Sequence, residues 1–224
     1  MNRLVSIILC ALMIPVAVQS AENSLKAGSW SFQFEANRDL ELTAFQGSTI
    51  SCKKHTSDGA AWRLGLSTDI EFREDENSRN RIDTTIGQTN NDMDDYSFVL
   101  HIQRVFYPRP DAKINFYWGF GPDFGYGRYK RKYTSENPLS GWWNKQTGVS
   151  TTYSFGMSGI LGVEWFVWSN ISFLAEYGST LMYTHAKYTS ELTANGGYFQ
   201  ADERKTTSFG FDGDEVRFGI SVYF

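Results

Sequence analysis

Apolar residues recur at every second position in several stretches of this chain: Trp62, Leu64, Leu66, Ile70 and Phe72; Ile114, Phe116, Trp118 and Phe120; Tyr153, Phe155 and Met157, then Leu161, Val163 and Trp165. A period of two puts each set on one face of an extended strand. The pattern predicts about eight strands, over 28–36, 42–54, 61–73, 96–107, 112–130, 150–167, 171–188 and 206–224. The connections alternate in length. Thr56-Ser57-Asp58-Gly59, Pro108-Arg109-Pro110-Asp111 and Ser169-Asn170 are tight turns, whereas 74–95, 131–149 and 189–205 are long and polar; only the outer connection at 37–41 is short. The alternation breaks between Phe45 and Ile50 and again between Phe211 and Val216, which predicts β-bulges near Gly47 and Gly213.

The last strand carries Phe218, Ile220, Val222 and Phe224 on one parity and ends on that final aromatic. The opposite parity in the clearest strands holds small residues, among them Gly65, Ser67, Gly119, Gly121, Ser154, Gly156 and Ser158, which suit a crowded interior better than a wet exterior. A soluble calyx, suggested by the lipocalin-like start Gly28-Ser29-Trp30, is therefore the weaker reading. A sheet spanning lipid must close and must be apolar on its outer face. The fold class expected is all-β: a transmembrane antiparallel up-and-down barrel of about eight strands with short periplasmic turns and longer extracellular loops.

Arg3 precedes an apolar run from Leu4 to Val18 that leads to Ser20 and Ala21, the pattern of a secretory signal peptide. The expected organisation is a cleaved segment at 1–21 and one barrel domain at 22–224. Cleavage removes Cys10, so Cys52 has no partner for an internal disulfide and is expected to be a buried, inert thiol. The formal net charge of −4 disfavours nucleic acid as a partner.

In the signal peptide, the rhythm of strands and connections and the Phe224 ending, the chain resembles the small eight-stranded outer-membrane proteins of the OmpA, OmpX and OmpW type. The resemblance is architectural and spans the mature chain. It implies location in the outer membrane, contact with its lipid and lipopolysaccharide, and insertion by the outer-membrane assembly machinery, which would read Phe218, Ile220, Val222 and Phe224 in the last strand.

The lumenal parity collects Arg63, Asp69, Glu71, His101, Gln103, Asp123, Glu164, Glu176 and Arg217. Charges in a narrow interior must be paired, so a network of Arg63, His101, Glu164, Glu176 and Arg217 is expected, with an Arg217 to Glu176 contact across neighbouring strands. Such a network acts as a structural plug or, in the sharper reading, as a gate. Arg128, Lys130 and Lys132 share the lipid-facing parity above the apolar band and are candidates for lipopolysaccharide phosphate contacts. Arg104 falls on the same parity near a turn, from which it can snorkel to headgroups.

Other candidate chemistry is weaker. Asn90-Asn91-Asp92-Met93-Asp94-Asp95 is oxygen-rich but lacks the glycine and bidentate glutamate of a calcium loop, so no metal is expected. Trp142 and Trp143 are aromatics suited to a partner or a membrane surface. His55-Thr56-Ser57, with Asp69 beyond, resembles the arrangement of lipid A deacylase barrels, but it falls in an early turn. His101 and His185 show no nucleophile and acid in register along the sequence. The expectation is a monomeric, cofactor-free, non-enzymatic anchor whose outer loops serve envelope stability, adhesion or surface recognition. A narrow channel for small hydrophilic solutes is the alternative, and an outer-membrane lipid-modifying enzyme the third.

Overall fold

The computed structural model describes residues 24–41, 46–81, 84–137, 141–213 and 216–224, and within these it leaves aside the side chains of 37–41, 46–47, 71–81, 84–88 and 212. The expected signal peptide lies outside the described residues. Among the described residues nine strands form: β1 (Trp30–Glu41), β2 (Gln46–Ser57), β3 (Ala60–Arg81), β4 (Thr84–Phe106), β5 (Ile114–Asn137), β6 (Trp142–Trp168), β7 (Ile171–Ala194), β8 (Tyr198–Gly213) and β9 (Arg217–Tyr223). Each pairs antiparallel with its neighbours, and the ring closes through β1 on β9, from Ser31 opposite Tyr223 to Ala36 opposite Phe218. Strands β8 and β9 both pair with β7, so they are two halves of one eighth strand.

The break between those halves is a register shift. Ser179 faces Gly213, but Glu176 faces Arg217, which leaves one more residue on the last strand than on β7. That extra residue flips the parity, so Phe209 and Phe211 point outward above the break and Phe218 and Ile220 point outward below it. Without it, one half would turn its aromatics into the lumen. A second irregularity lies in the β1–β2 pairing between Ala36 and Glu41, beside Gly47.

The outer face is apolar over the lower part of every strand. Phe116 is 70% exposed, Leu161 65%, Phe218 65% and Phe224 67%, values that only a lipid surrounding accommodates for so many large apolar side chains together. Aromatic and basic residues mark the short-turn rim: the Arg104 guanidinium lies over the Trp62 ring at 5.3 Å, and the Lys54 ammonium over Trp30 at 4.8 Å. Arg104 thus reaches the interface by lying along aromatic faces.

The long outer connections are built as β-hairpins. Strand β3 runs on to Arg81, β6 begins at Trp142 and β7 ends at Ala194. Above the lipid both faces are wet, so the alternation that marks a strand in the sequence fades while the backbone ladder continues. The 27 residues of β6 reach roughly 60 Å along a strand tilted about 45°, against an apolar band of about 25 Å. More than half of its length projects beyond the band. Strands β1 and β2 have only 12 residues each. β2 meets β3 only as far as Ser48 opposite Thr68, and β8 pairs with β7 alone among the described strands. The projecting part is therefore an open six-strand sheet, β3 to β8, standing over the low β1–β2 hairpin.

Cys52 does not sit in the interior. It is partly exposed on the outward parity of β2, beside Phe32 and Leu64 on the neighbouring strands, because His55, Lys53 and Ser51 take the lumenal positions. In bilayers, a membrane-impermeant charged maleimide should leave Cys52 unmodified while N-ethylmaleimide, which partitions into lipid, labels it. Equal labelling by both reagents would place the thiol in water.

Candidate functional site

The lumen is filled in layers from the short-turn end. Leu25, Val105, Tyr107, Tyr117, Ile160, Phe166 and Tyr223 form a buried cluster that closes this end. Leu25 comes from the segment before β1, which is tied down by the Ala27 amide donating to Asp58 Oδ1 at 2.8 Å and by Ser24 Oγ donating to the Ser169 carbonyl at 2.6 Å. His55 lies in the same layer, its ring 5.4 Å from that of Tyr107 and 5.9 Å from that of Tyr223.

Above the cluster lie two ion-pair centres. In the first, Lys53 Nζ sits 3.1 Å from Glu164 Oε2, and the same carboxylate accepts hydrogen bonds from Tyr107 Oη (2.9 Å), Tyr223 Oη (2.7 Å) and Ser172 Oγ (2.6 Å). In the second, Arg63 clamps Glu176 with Nη1 at 2.7 Å and Nη2 at 2.9 Å, while Nη1 also reaches Glu35 at 3.1 Å. Tyr117 Oη donates to Glu176 at 3.0 Å, and Gln103 Oε1 accepts from Arg63 Nε at 2.9 Å. The charged side chains of both centres are buried, so these charges are held by one another and not by water.

Arg217 does approach Glu176, at 3.7 Å, but Arg63 is its principal partner. Glu164, expected in the same network, is held by Lys53. Lys53 and Glu35 escaped the sequence reading. The stretch Ser51-Cys52-Lys53-Lys54-His55 has no apolar alternation from which to read a parity, which only the pairing of Lys53 opposite Arg63 in β3 supplies, whereas the alternation of Trp30, Phe32 and Phe34 already puts Glu35 on the lumenal parity.

A third layer contains the expected His101, and here the structure corrects the sequence reading. His101 Nδ1 is 2.8 Å from Asp123 Oδ1 and its Nε2 is 2.9 Å from Ser67 Oγ. An acid and a hydroxyl do stand in register with this histidine, one on β5 and one on β3. The sequence separations, 22 and 34 residues, hid what strand pairing brings together. Asp123 also accepts from Ser158 Oγ at 3.1 Å, and Thr49 Oγ1 lies 2.7 Å from Ser67 Oγ. By contrast, His185 stands between Tyr153 and Thr207 on the neighbouring strands, with its Nδ1 3.2 Å from Thr207 Oγ1 and no acid in register.

Beyond this layer Ser97, Gly125, Gly127, Thr152 and Ser154 share the lumenal parity and are partly exposed, so the closely packed interior gives way to a vestibule open to solvent. Asp69 is exposed there, and Glu71 falls among the side chains left aside. Higher still, Tyr129, Arg131, Tyr133, Gln146, Gly148 and Tyr188 line a cleft of about 340 Å³ on the inner face of the projecting sheet. On the outer face, Arg128 is exposed, Lys130 stands opposite Asp94, and Lys132 forms a 3.3 Å ion pair with Asp92. Asn91 accepts a hydrogen bond from Arg131 Nε at 2.7 Å, so part of the oxygen-rich run is engaged with basic side chains of β5. Trp142 and Trp143 are exposed beside the tip of the β5–β6 hairpin.

No protein-family model matches the chain, and no curated protein does. Solved structures that resemble it include a major outer membrane protein of Thermus thermophilus (13% identity, 88% of this chain and 100% of that one, TM-score 0.43). OprG of Pseudomonas aeruginosa is another (14%, 89% and 97%, 0.42), as is CarO2 of Acinetobacter baumannii (10%, 88% and 99%, 0.40). The eight-strand closed ring, its apolar exterior and its charged, packed lumen make this chain a small transmembrane β-barrel of the outer-membrane type.

Proposed function

We propose that the barrel is a sealed membrane anchor and that the projecting sheet, which faces out of the cell, is its working surface. The observation that carries this reading is the lumen itself: among the described residues it is occupied by a buried apolar cluster at one end, backed by two hydrogen-bonded ion-pair centres. The projecting sheet offers an aromatic and basic cleft around Arg131 for a surface ligand. Arg128 and Lys130, outward and just above the apolar band, fit contact with lipopolysaccharide phosphates, whereas Lys132 is already engaged by Asp92. The last strand, with Phe218, Ile220, Val222 and Phe224 toward lipid, suits recognition by the assembly machinery. A monomer without a cofactor completes this reading.

Planar-bilayer recording tests the anchor against the channel. The wild-type barrel should stay at the conductance of the bare membrane, and the triple variant Tyr107→Ala, Tyr117→Ala, Tyr223→Ala should show discrete openings. Regular openings of the wild-type protein would favour the narrow channel.

A further inference from the structure

We propose that Ser67, His101 and Asp123 form a hydrolytic serine centre inside the barrel, open to water-soluble esters entering from the vestibule. The three side chains stand in the order a nucleophile needs. Asp123 Oδ1 holds His101 Nδ1 at 2.8 Å, which fixes the tautomer so that Nε2 is the acceptor facing Ser67 Oγ at 2.9 Å. Each comes from a strand paired on both sides, β3, β4 or β5, with Gly65 opposite His101 and His101 opposite Asp123 in register. This is a rigid platform for a catalytic constellation.

The surroundings differ for the acid and the nucleophile. Asp123 is fully buried, and its Oδ2 has no hydrogen-bond partner among the described residues, so its charge is directed at the imidazole and at Ser158. Ser67 and His101 keep partial access to solvent. On the side of Ser67 away from the histidine, Thr49 Oγ1 lies at 2.7 Å and Arg217 Nη1 reaches Thr49 at 3.4 Å, so a hydroxyl and, behind it, a cation stand beside the proposed nucleophile.

In the reaction, Ser67 Oγ bonds to the ester carbonyl carbon as its proton passes to His101 Nε2. The bond to the alcohol oxygen then breaks and that oxygen leaves with the proton. Water, deprotonated by His101, attacks the acyl-serine. The acid departs and Ser67 recovers its proton, so the sum is ester plus water to acid plus alcohol.

Position in the barrel defines the substrate. All three groups lie on the lumenal parity and the short-turn end is closed below them, so the substrate is a small soluble ester and not a membrane lipid. This centre is independent of the anchoring role. It also departs from the expectation of a protein without enzymatic activity.

The test uses the refolded barrel in detergent, with phenylmethylsulfonyl fluoride as the active-site probe and p-nitrophenyl acetate as substrate. The sulfonyl adduct should map by mass spectrometry to Ser67. His101→Ala should slow both adduct formation and ester hydrolysis by about 100-fold or more, and Asp123→Asn should slow both as well. Heat-modifiable gel migration identifies variants that remain folded. For Ser67→Ala, folded and inactive is the expected result. Failure of the folded wild-type barrel to form an adduct at Ser67, or equal rates in wild type and folded His101→Ala, overturns the proposal.

Discussion

Arg63→Ala should destabilise the folded barrel by about 3–5 kcal/mol, because it leaves the buried carboxylates of Glu176 and Glu35 without the cation that holds them. The cost arises from the charges left behind, not from the net worth of the ion pair. Arg217, at 3.7 Å from one Glu176 oxygen, lies too far to replace a bidentate clamp at 2.7 and 2.9 Å. Neutralising both sides should therefore recover most of the loss: Arg63→Met combined with Glu176→Gln and Glu35→Gln is expected to lie much closer to wild type than Arg63→Ala. Urea unfolding in lipid vesicles, followed by tryptophan fluorescence, measures both. If the single variant unfolds at the wild-type midpoint, the lumen is wetter than its packing implies.

Gly162→Ala should cost a similar amount, about 3–5 kcal/mol, by a different route. A Cβ at this position would overlap the ring of Tyr117, closest at its Cζ. Moving the ring strains the closing cluster, an overpacking cost of about 1–3 kcal/mol. It also loses the hydrogen bond from Tyr117 Oη to the Glu176 carboxylate, about 1.5–3 kcal/mol for a charged acceptor. Two controls separate these parts. Tyr117→Phe removes the hydrogen bond alone, and Gly159→Ala adds a methyl where no atom lies within 4 Å, so it should be nearly silent. Comparable unfolding midpoints for Gly162→Ala and Gly159→Ala would refute the packing argument.

The legibility of this chain follows the lipid boundary. Where one face of a strand meets hydrocarbon and the other a narrow lumen, the sequence must alternate. Trp62 to Phe72, Ile114 to Phe120 and Phe218 to Phe224 could therefore be assigned to faces directly. The parity flip between Phe211 and Val216 was legible for the same reason, and it lies where the structure gains its extra residue. Above the lipid the constraint ends. The polar stretch from Glu74 to Asp95 reads as an irregular loop, yet its described residues pair as the upper parts of β3 and β4, with one register shift between Arg79 and Asn80.

The sequence by itself determined the barrel and, in the strands with clear alternation, the face turned to lipid and the residues available to the lumen, because a bilayer penalises every misplaced polar group within a single strand. The tertiary structure alone decided which lumenal groups meet. Partner choice depends on register and depth across strands that are distant in the chain, which is how Glu164 comes to Lys53, 111 residues away, and Glu176 to Arg63, 113 away. The same closure brings Ser67, His101 and Asp123 within hydrogen-bonding distance, three residues that no local pattern connects.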